Sequence, residues 1–225
     1  MARKLMPTTK QLTTDILFLA QIGLALVFGG SEFLRLLNTS QGIPIFWLAS
    51  WLAFLLINLV LTIRAYSSCP SRVTLQAVGC YALWTVIIAS DLVVLFMKGT
   101  DIWRAADTIT ALIVAAGIMV ILLWGYRRGH GLSGPIVHGY LGILFIGIPQ
   151  ITLAYTIFQE GGQGLAGTAL LASNFSILIR LGLLGFAIAE AGWDQNRKGA
   201  AMSEFANEIS WLLVTLAWLI RYPHG

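Results

Sequence analysis

Seven runs of about 20 or more mostly apolar residues fill nearly all of this 225-residue chain. They lie at 15–37, 43–66, 73–97, 104–126, 135–158, 165–192 and 202–221. In hydrocarbon every backbone N–H and C=O must find a partner within its own segment, so runs of this length dictate helices. The expected fold is an all-α integral membrane protein with seven transmembrane helices. The turns between them, such as Asn38-Thr39-Ser40-Gln41-Gly42, Ser67-Ser68-Cys69-Pro70-Ser71 and Gly129-His130-Gly131-Leu132-Ser133-Gly134, are too short for a soluble domain. Residues 1–225 therefore read as one membrane domain, and the first run, too long for a typical signal peptide and without a small-residue cleavage site, is expected to be retained.

Composition agrees, with 57% hydrophobic residues, 11% charged residues and a mean hydropathy of +0.80. The net charge of +4 sits in loops and termini, where it sets orientation rather than binding nucleic acid. Nine basic residues fall on the amino-terminal side (Arg3, Lys4, Lys10, Arg64, Arg72, Arg127, Arg128, Arg197, Lys198) and four on the other (Arg35, Lys98, Arg104, Arg221). That excess predicts a cytoplasmic amino terminus and an outside carboxyl terminus in a plasma (inner) membrane. Trp103, Trp124, Tyr126, Trp193 and Tyr222 lie near run ends, as interfacial anchors do. Cys69 and Cys80 have no metal-like spacing, so neither a disulfide framework nor a metal site is expected.

The fifth run is interrupted by Ile148-Pro149-Gln150. Proline has no N–H and crowds the carbonyl of Phe145, so the helix must bend or re-pair there. In the first run Gly29-Gly30 falls at matching depth. After each break comes a polar, glycine-containing turn, 38–42 in one half and 159–164 in the other. The next runs share Leu48-Ala49-Ser50 and Leu171-Ala172-Ser173. The third runs carry Gln76, Cys80, Trp84 and Asp91 against Ser203, Asn207, Trp211 and Trp218, each at steps of four, four and seven that keep one helical face. These matches predict a 3+1+3 parallel repeat: a three-helix unit over 15–97, a linker helix over 104–126 and a second unit over 135–221. Pro149, Gly29 and Gly30 are its candidate hinges, and a plain kink is the competing reading of the proline.

With its Pro149-Gln150 dipeptide, its polar turns and its three-plus-one-plus-three pattern, the chain resembles the PQ-loop and SWEET-like transporter superfamily over nearly its whole length. It departs from that pattern in the first half, where Gly29-Gly30 stands in place of the dipeptide and Cys80 where the family tends to carry an asparagine. The resemblance implies a solute pathway between two three-helix bundles and no cofactor. Asn207 matches the family's asparagine near the substrate.

Arg180, mid-run in the sixth segment, is the sharpest single residue, because a midplane arginine costs at least about 2.5 kcal/mol on insertion scales. Ser173 and Ser176 share its face. Two readings stand: a structural ion pair between Asp91 and Arg180, or a contact from Arg180 to a solute. Gln150, Asn174 and Asn207 offer neutral hydrogen bonds, and Trp84 and Trp211 flat apolar faces, with interhelical packing as the plainer role for all of them. Asn58 is expected to hydrogen-bond between helices. Glu204 and Glu208 share a face and are expected at a solvated helix start favoured by its dipole, with proton coupling as the competing reading.

Other classes fit poorly. Lys4, Lys10, Lys98 and Lys198 all lie outside the predicted helices, leaving no site for a retinal Schiff base, and His130, His138 and His224 are scattered, so no catalytic constellation emerges. The chain reads as a facilitator of a small polar solute in a lipid bilayer, with a homo-oligomer or larger membrane complex left open. The rival is a non-transporting seven-helix scaffold or accessory subunit. A polar cavity between the halves separates the two.

Overall fold

A computed structural model describes residues 9–98, 103–129, 131 and 134–221. Arg3, Lys4, His130, Tyr222 and His224 lie outside these residues. Seven helices follow one another: α1 (Thr9–Asn38), α2 (Ile45–Ser68), α3 (Arg72–Lys98), α4 (Ala105–Arg127), α5 (Pro135–Glu160), α6 (Gly167–Ala191) and α7 (Gln195–Arg221). No strand occurs among the described residues. Six of the helices, α1 to α6, are long and apolar enough to cross a membrane. α7 is long enough at 27 residues, but its first half carries Arg197, Lys198, Glu204 and Glu208 and dilutes its hydropathy. Lys10, Lys98 and Lys198 fall within helix ends, a correction to their expected place outside the helices; none lies in a helix middle.

The packing falls into two trios. α3 packs against both α1 and α2, which make no extended contact with each other, and α7 packs in the same way against α5 and α6. Across the trios the pairing exchanges: α1 lies on α6, and α2 on α5. α4 leans on α5 and α2.

Glycine explains the closest approaches. A Cβ on Gly139 would lie 2.7 Å from the carbonyl oxygen of Gly199, and one on Gly142 would collide with Ser203, so α5 and α7 meet nearly backbone to backbone. Where two membrane helices have only dispersion to hold them, small residues at the seam let the backbones come close enough to gain it. The outward surface is apolar, with Leu26, Val86, Leu112, Val120, Leu178 and Leu216 all exposed.

The two expected breaks differ. α5 contains a π-helical turn at Ile143–Gly147, in which the N–H of Ile148 bonds to the carbonyl of Ile143. A π turn pairs residues five apart instead of four, which carries the ladder past the N–H that Pro149 lacks. α1 runs unbroken through Gly29 and Gly30. A Cβ at Gly29 would stand 2.8 Å from the side chain of Ile87 on α3, whereas one at Gly30 would meet open space. Gly29 is thus a packing glycine, and the expected interruption of α1 is absent.

On the side of the bundle away from the amino terminus, the two polar turns interlock. Gly164 donates its N–H to the carbonyl of Gln41 at 2.8 Å, Gln41 donates its amide to the carbonyl of Glu160, and Arg35 donates to that of Gln163. Gly42 has φ +81°, and any Cβ there would collide with the carbonyl of Gly161. Trp218 closes over the junction by donating to the carbonyl of Leu165 at 3.1 Å.

Candidate functional site

Between the trios lies a cavity of about 780 Å³. Its rim includes Thr13 at the start of α1, Val73 at the start of α3 and Phe186 near the end of α6, all on the amino-terminal side. It runs inward past Gln76 and Cys80 to Trp84, Gln150 and Asn207. α4 contributes no lining residue. The wall is mainly apolar and aromatic, with a few polar groups converging on it, which is the usual make-up of a small-molecule site.

An aromatic cluster forms the floor. Phe28 packs against Trp51 and Trp84 with ring centroids 5.6 and 5.3 Å away, and Trp47 stacks on Trp211 at 6.2 Å. Beyond these rings come the interlocked turns, so the cavity is stopped on the far side by an aromatic layer and then by hydrogen-bonded backbone.

The polar groups sort as follows. Gln150 is buried on α5, donates to Oδ1 of Asn207 at 2.9 Å and accepts from the hydroxyl of Ser210. Gln150 and Asn207 thereby join the two helices while both line the cavity. Ser173, Ser176 and Arg180 line it from α6. Trp84 lines it, but Trp211 is wholly buried in the aromatic cluster, its indole N–H directed at the carbonyl of Leu170. Asn174 lies outside the lining and bridges α6 to α7 through Thr215 at 3.1 Å. Asn58 donates to the carbonyl of Phe54 in its own helix, not to a neighbouring one.

The expected ion pair between Asp91 and Arg180 is not formed. Nε of Arg180 lies 3.3 Å from Oε2 of Glu204, at the cavity wall. The reason is depth: Arg180 sits level with Cys80 and Tyr81, and Asp91 is ten residues beyond Tyr81, about 15 Å along the helix. Glu204 was expected at a helix start, yet α7 begins at Gln195, which places Glu204 well inside, half-buried and paired. At the mouth, Asp15 of α1 ties to α3 through Arg72 at 2.6 Å and Gln76 at 2.9 Å.

Two buried polar residues of α1 join no sequence motif: Gln21, which lines the cavity, and Glu32, which lies beneath the interlocked turns. An acidic residue inside an apolar run was the available signal for Glu32. Among the described residues no three His, Cys, Asp or Glu side chains gather as a metal set. No known protein family, curated protein or solved structure matches the chain.

Proposed function

We propose that this protein is a membrane facilitator of a small polar solute, working by alternating access between two three-helix bundles, with its cavity open toward the amino-terminal side. The observation that carries the reading is the cavity itself. It lies on the seam between the trios, is reached from one side, and is stopped on the other by turns that belong one to each trio. A scaffold has no need of such a space, whereas a facilitator has to enclose one.

The exchanged packing of α1 on α6 and α2 on α5 supports a 3+1+3 repeat, with α7 as a seventh crossing and α4 as the linker. Cys80 and Asn207, matched in the sequence stripes, both line the cavity, and Trp84 and Trp211 both enter the aromatic cluster. One match is weaker: Leu48 is buried, but Leu171 faces outward. With Ile148-Pro149-Gln150 on the cavity wall, these features favour a relative of the PQ-loop and SWEET-like transporters. The basic residues favour a cytoplasmic amino terminus, so the open side would face the cytoplasm.

In this scheme Gln150, Asn207 and Arg180 supply hydrogen bonds to the solute, and Trp84 an apolar face. The test is uptake into proteoliposomes with a panel of sugars, amino acids and vitamins, comparing the wild type with Gln150→Leu. Saturable uptake of at least one solute, weakened in the variant, is expected. No uptake across the panel would favour the scaffold.

A further inference from the structure

Away from the cavity, beneath the interlocked turns, α1 and α3 each enclose an acidic side chain. Glu32 and Asp91 are both 0% exposed. Oε2 of Glu32 accepts the N–H of Ala166 at 3.0 Å. This strap crosses the seam, because Ala166 is the residue that caps the start of α6. The other three oxygens, Oε1 of Glu32 and both of Asp91, have no hydrogen-bond partner among the described residues. Phe28 packs on Trp84 and Gly29 abuts Ile87 where α1 lies along α3, and about one turn further along this pair Glu32 comes level with Asp91.

The surroundings offer two buried acids at most one positive charge among the described residues. Arg35, one turn along from Glu32, is that cation, and its Nε is bound to the carbonyl of Gln163. Lys98, at the end of α3, is exposed. α2 and α6 face this level with the uncharged segments 45–50 and 167–173. Asp107 of α4 is already engaged by the N–H groups of Phe46 and Arg104. Arg104 itself pairs with Glu160, and Arg180 pairs with Glu204. Two acids held out of water with a single cation beside them, itself hydrogen-bonded to a carbonyl, are costly, and inside a membrane protein such residues mark ion paths and proton relays.

We propose that Glu32 and Asp91 form a binding site for one monovalent cation, a proton or a sodium ion, and that filling it releases the far-side turns. A bond from an N–H to an ionised carboxylate is roughly twice as strong as one to a neutral group. Placing a positive charge between the two acids therefore weakens the strap from Ala166 to Glu32. α6 is then freer to part from α1 on the far side. The site itself does not depend on the alternating-access reading; only its consequence for transport does.

Infrared spectroscopy of the reconstituted protein tests the site without any solute. Spectra are recorded across a pH titration in choline chloride and again in sodium chloride, for the wild type and for Glu32→Gln/Asp91→Asn, whose amides keep the shapes. If the cation is a proton, the wild type shows the absorption of a buried protonated carboxyl that fades as pH rises and is missing from the double variant. If it is sodium, replacing choline by sodium shifts the carboxylate absorption of the wild type alone. Spectra of wild type and variant that coincide in both salts overturn the site. Should the double variant not be monodisperse, Asp91→Asn alone takes its place.

The seal is read separately, by far-side maleimide labelling of Leu165→Cys in a Cys69→Ser/Cys80→Ser background. Leu165 is buried under the turns. For a proton, its labelling, taken as a ratio to that of an exposed single cysteine so that the thiolate's own titration cancels, should rise about tenfold per unit fall in pH through the titration, and stay flat when Glu32→Gln is added. For sodium, the same rise should follow addition of the salt. A labelling rate indifferent to both overturns the coupling to the seal. Loss of transport activity with the infrared signature intact would tell against the transporter reading instead.

Discussion

Gln150 and Asn207 are held together by a 2.9 Å hydrogen bond between their side-chain amides, across the seam of α5 and α7 and on the wall of the cavity. The bond places the residue after the helix-breaking proline against the middle of α7. Ser210 completes the group by donating to the other end of the Gln150 amide. The break in α5 is thus tied to the helix that sits at the centre of the second trio.

Breaking this group should destabilise the bundle modestly. In membranes such side-chain bonds contribute about 0.6 kcal/mol on average and at most about 2, because partners are also found in the unfolded state. A double-mutant cycle on Gln150→Leu and Asn207→Leu, read by denaturant unfolding in micelles, should give a coupling free energy within that range. Strict additivity would contradict the bond.

Gly29 and Gly30 should respond in opposite ways to alanine. Gly29→Ala pushes a methyl into Ile87 and should lower the melting temperature, at a cost of about 1–3 kcal/mol for overpacking. Gly30→Ala meets open space and should be neutral or stabilising by up to about 1 kcal/mol, as alanine is the better helix former. If both variants melt like the wild type, α1 and α3 are not packed as described.

Arg180 is half-buried and its ion pair with Glu204 is partly open to water, so the pair should add no more than about 1 kcal/mol to stability. Arg180→Ala should therefore fold normally while impairing uptake of a transported solute. Normal uptake would remove Arg180 from the pathway.

One pH effect lies outside the helices. Asp194 sits just before α7, and its carboxylate accepts the N–H of Arg197 at 2.9 Å and pairs with the Arg197 guanidinium. These contacts, the backbone hydrogen bond foremost, hold its pKa below the ordinary 3.8. A lowered value means the stabilisation is complete above the ordinary value and disappears as pH falls through the lowered one. Amide exchange at the start of α7 should accelerate only in that acid range, and Asp194→Asn should remove the pH dependence.

The helices were legible because hydrophobic runs of this length leave the backbone no alternative in lipid. The inward-facing stripes that hold Trp84 and Trp211 were legible for a similar reason, since helical spacing keeps side chains on one face wherever the helix is placed. The partner of Arg180 was not. Choosing Glu204 over Asp91 requires knowing how far α3 and α6 slide past each other, and no local pattern encodes that offset. Gly29 was misread because a glycine that admits a neighbour and one that loosens a helix look alike in sequence; only the presence of Ile87 tells them apart. The polar turns were visible as turns, but their interlocking depends on contacts between residues more than a hundred positions apart.

In the proposed alternating access the cavity opens to the two sides of the membrane in turn, and Cys80 is placed to report on it. Its thiol is free and lines the cavity. With Cys69→Ser it becomes the sole cysteine of the chain, and a membrane-impermeant thiol reagent can be applied to either face of sealed vesicles. Rapid reaction is expected from the amino-terminal side, slower but real reaction from the far side, and loss of the far-side reaction alone when Gln41→Cys and Gln163→Cys, which leave Gly164 in place against Gln41, are oxidised to a disulfide and the remaining thiol is then probed. Reaction from one side only, unaffected by that cross-link, would contradict it.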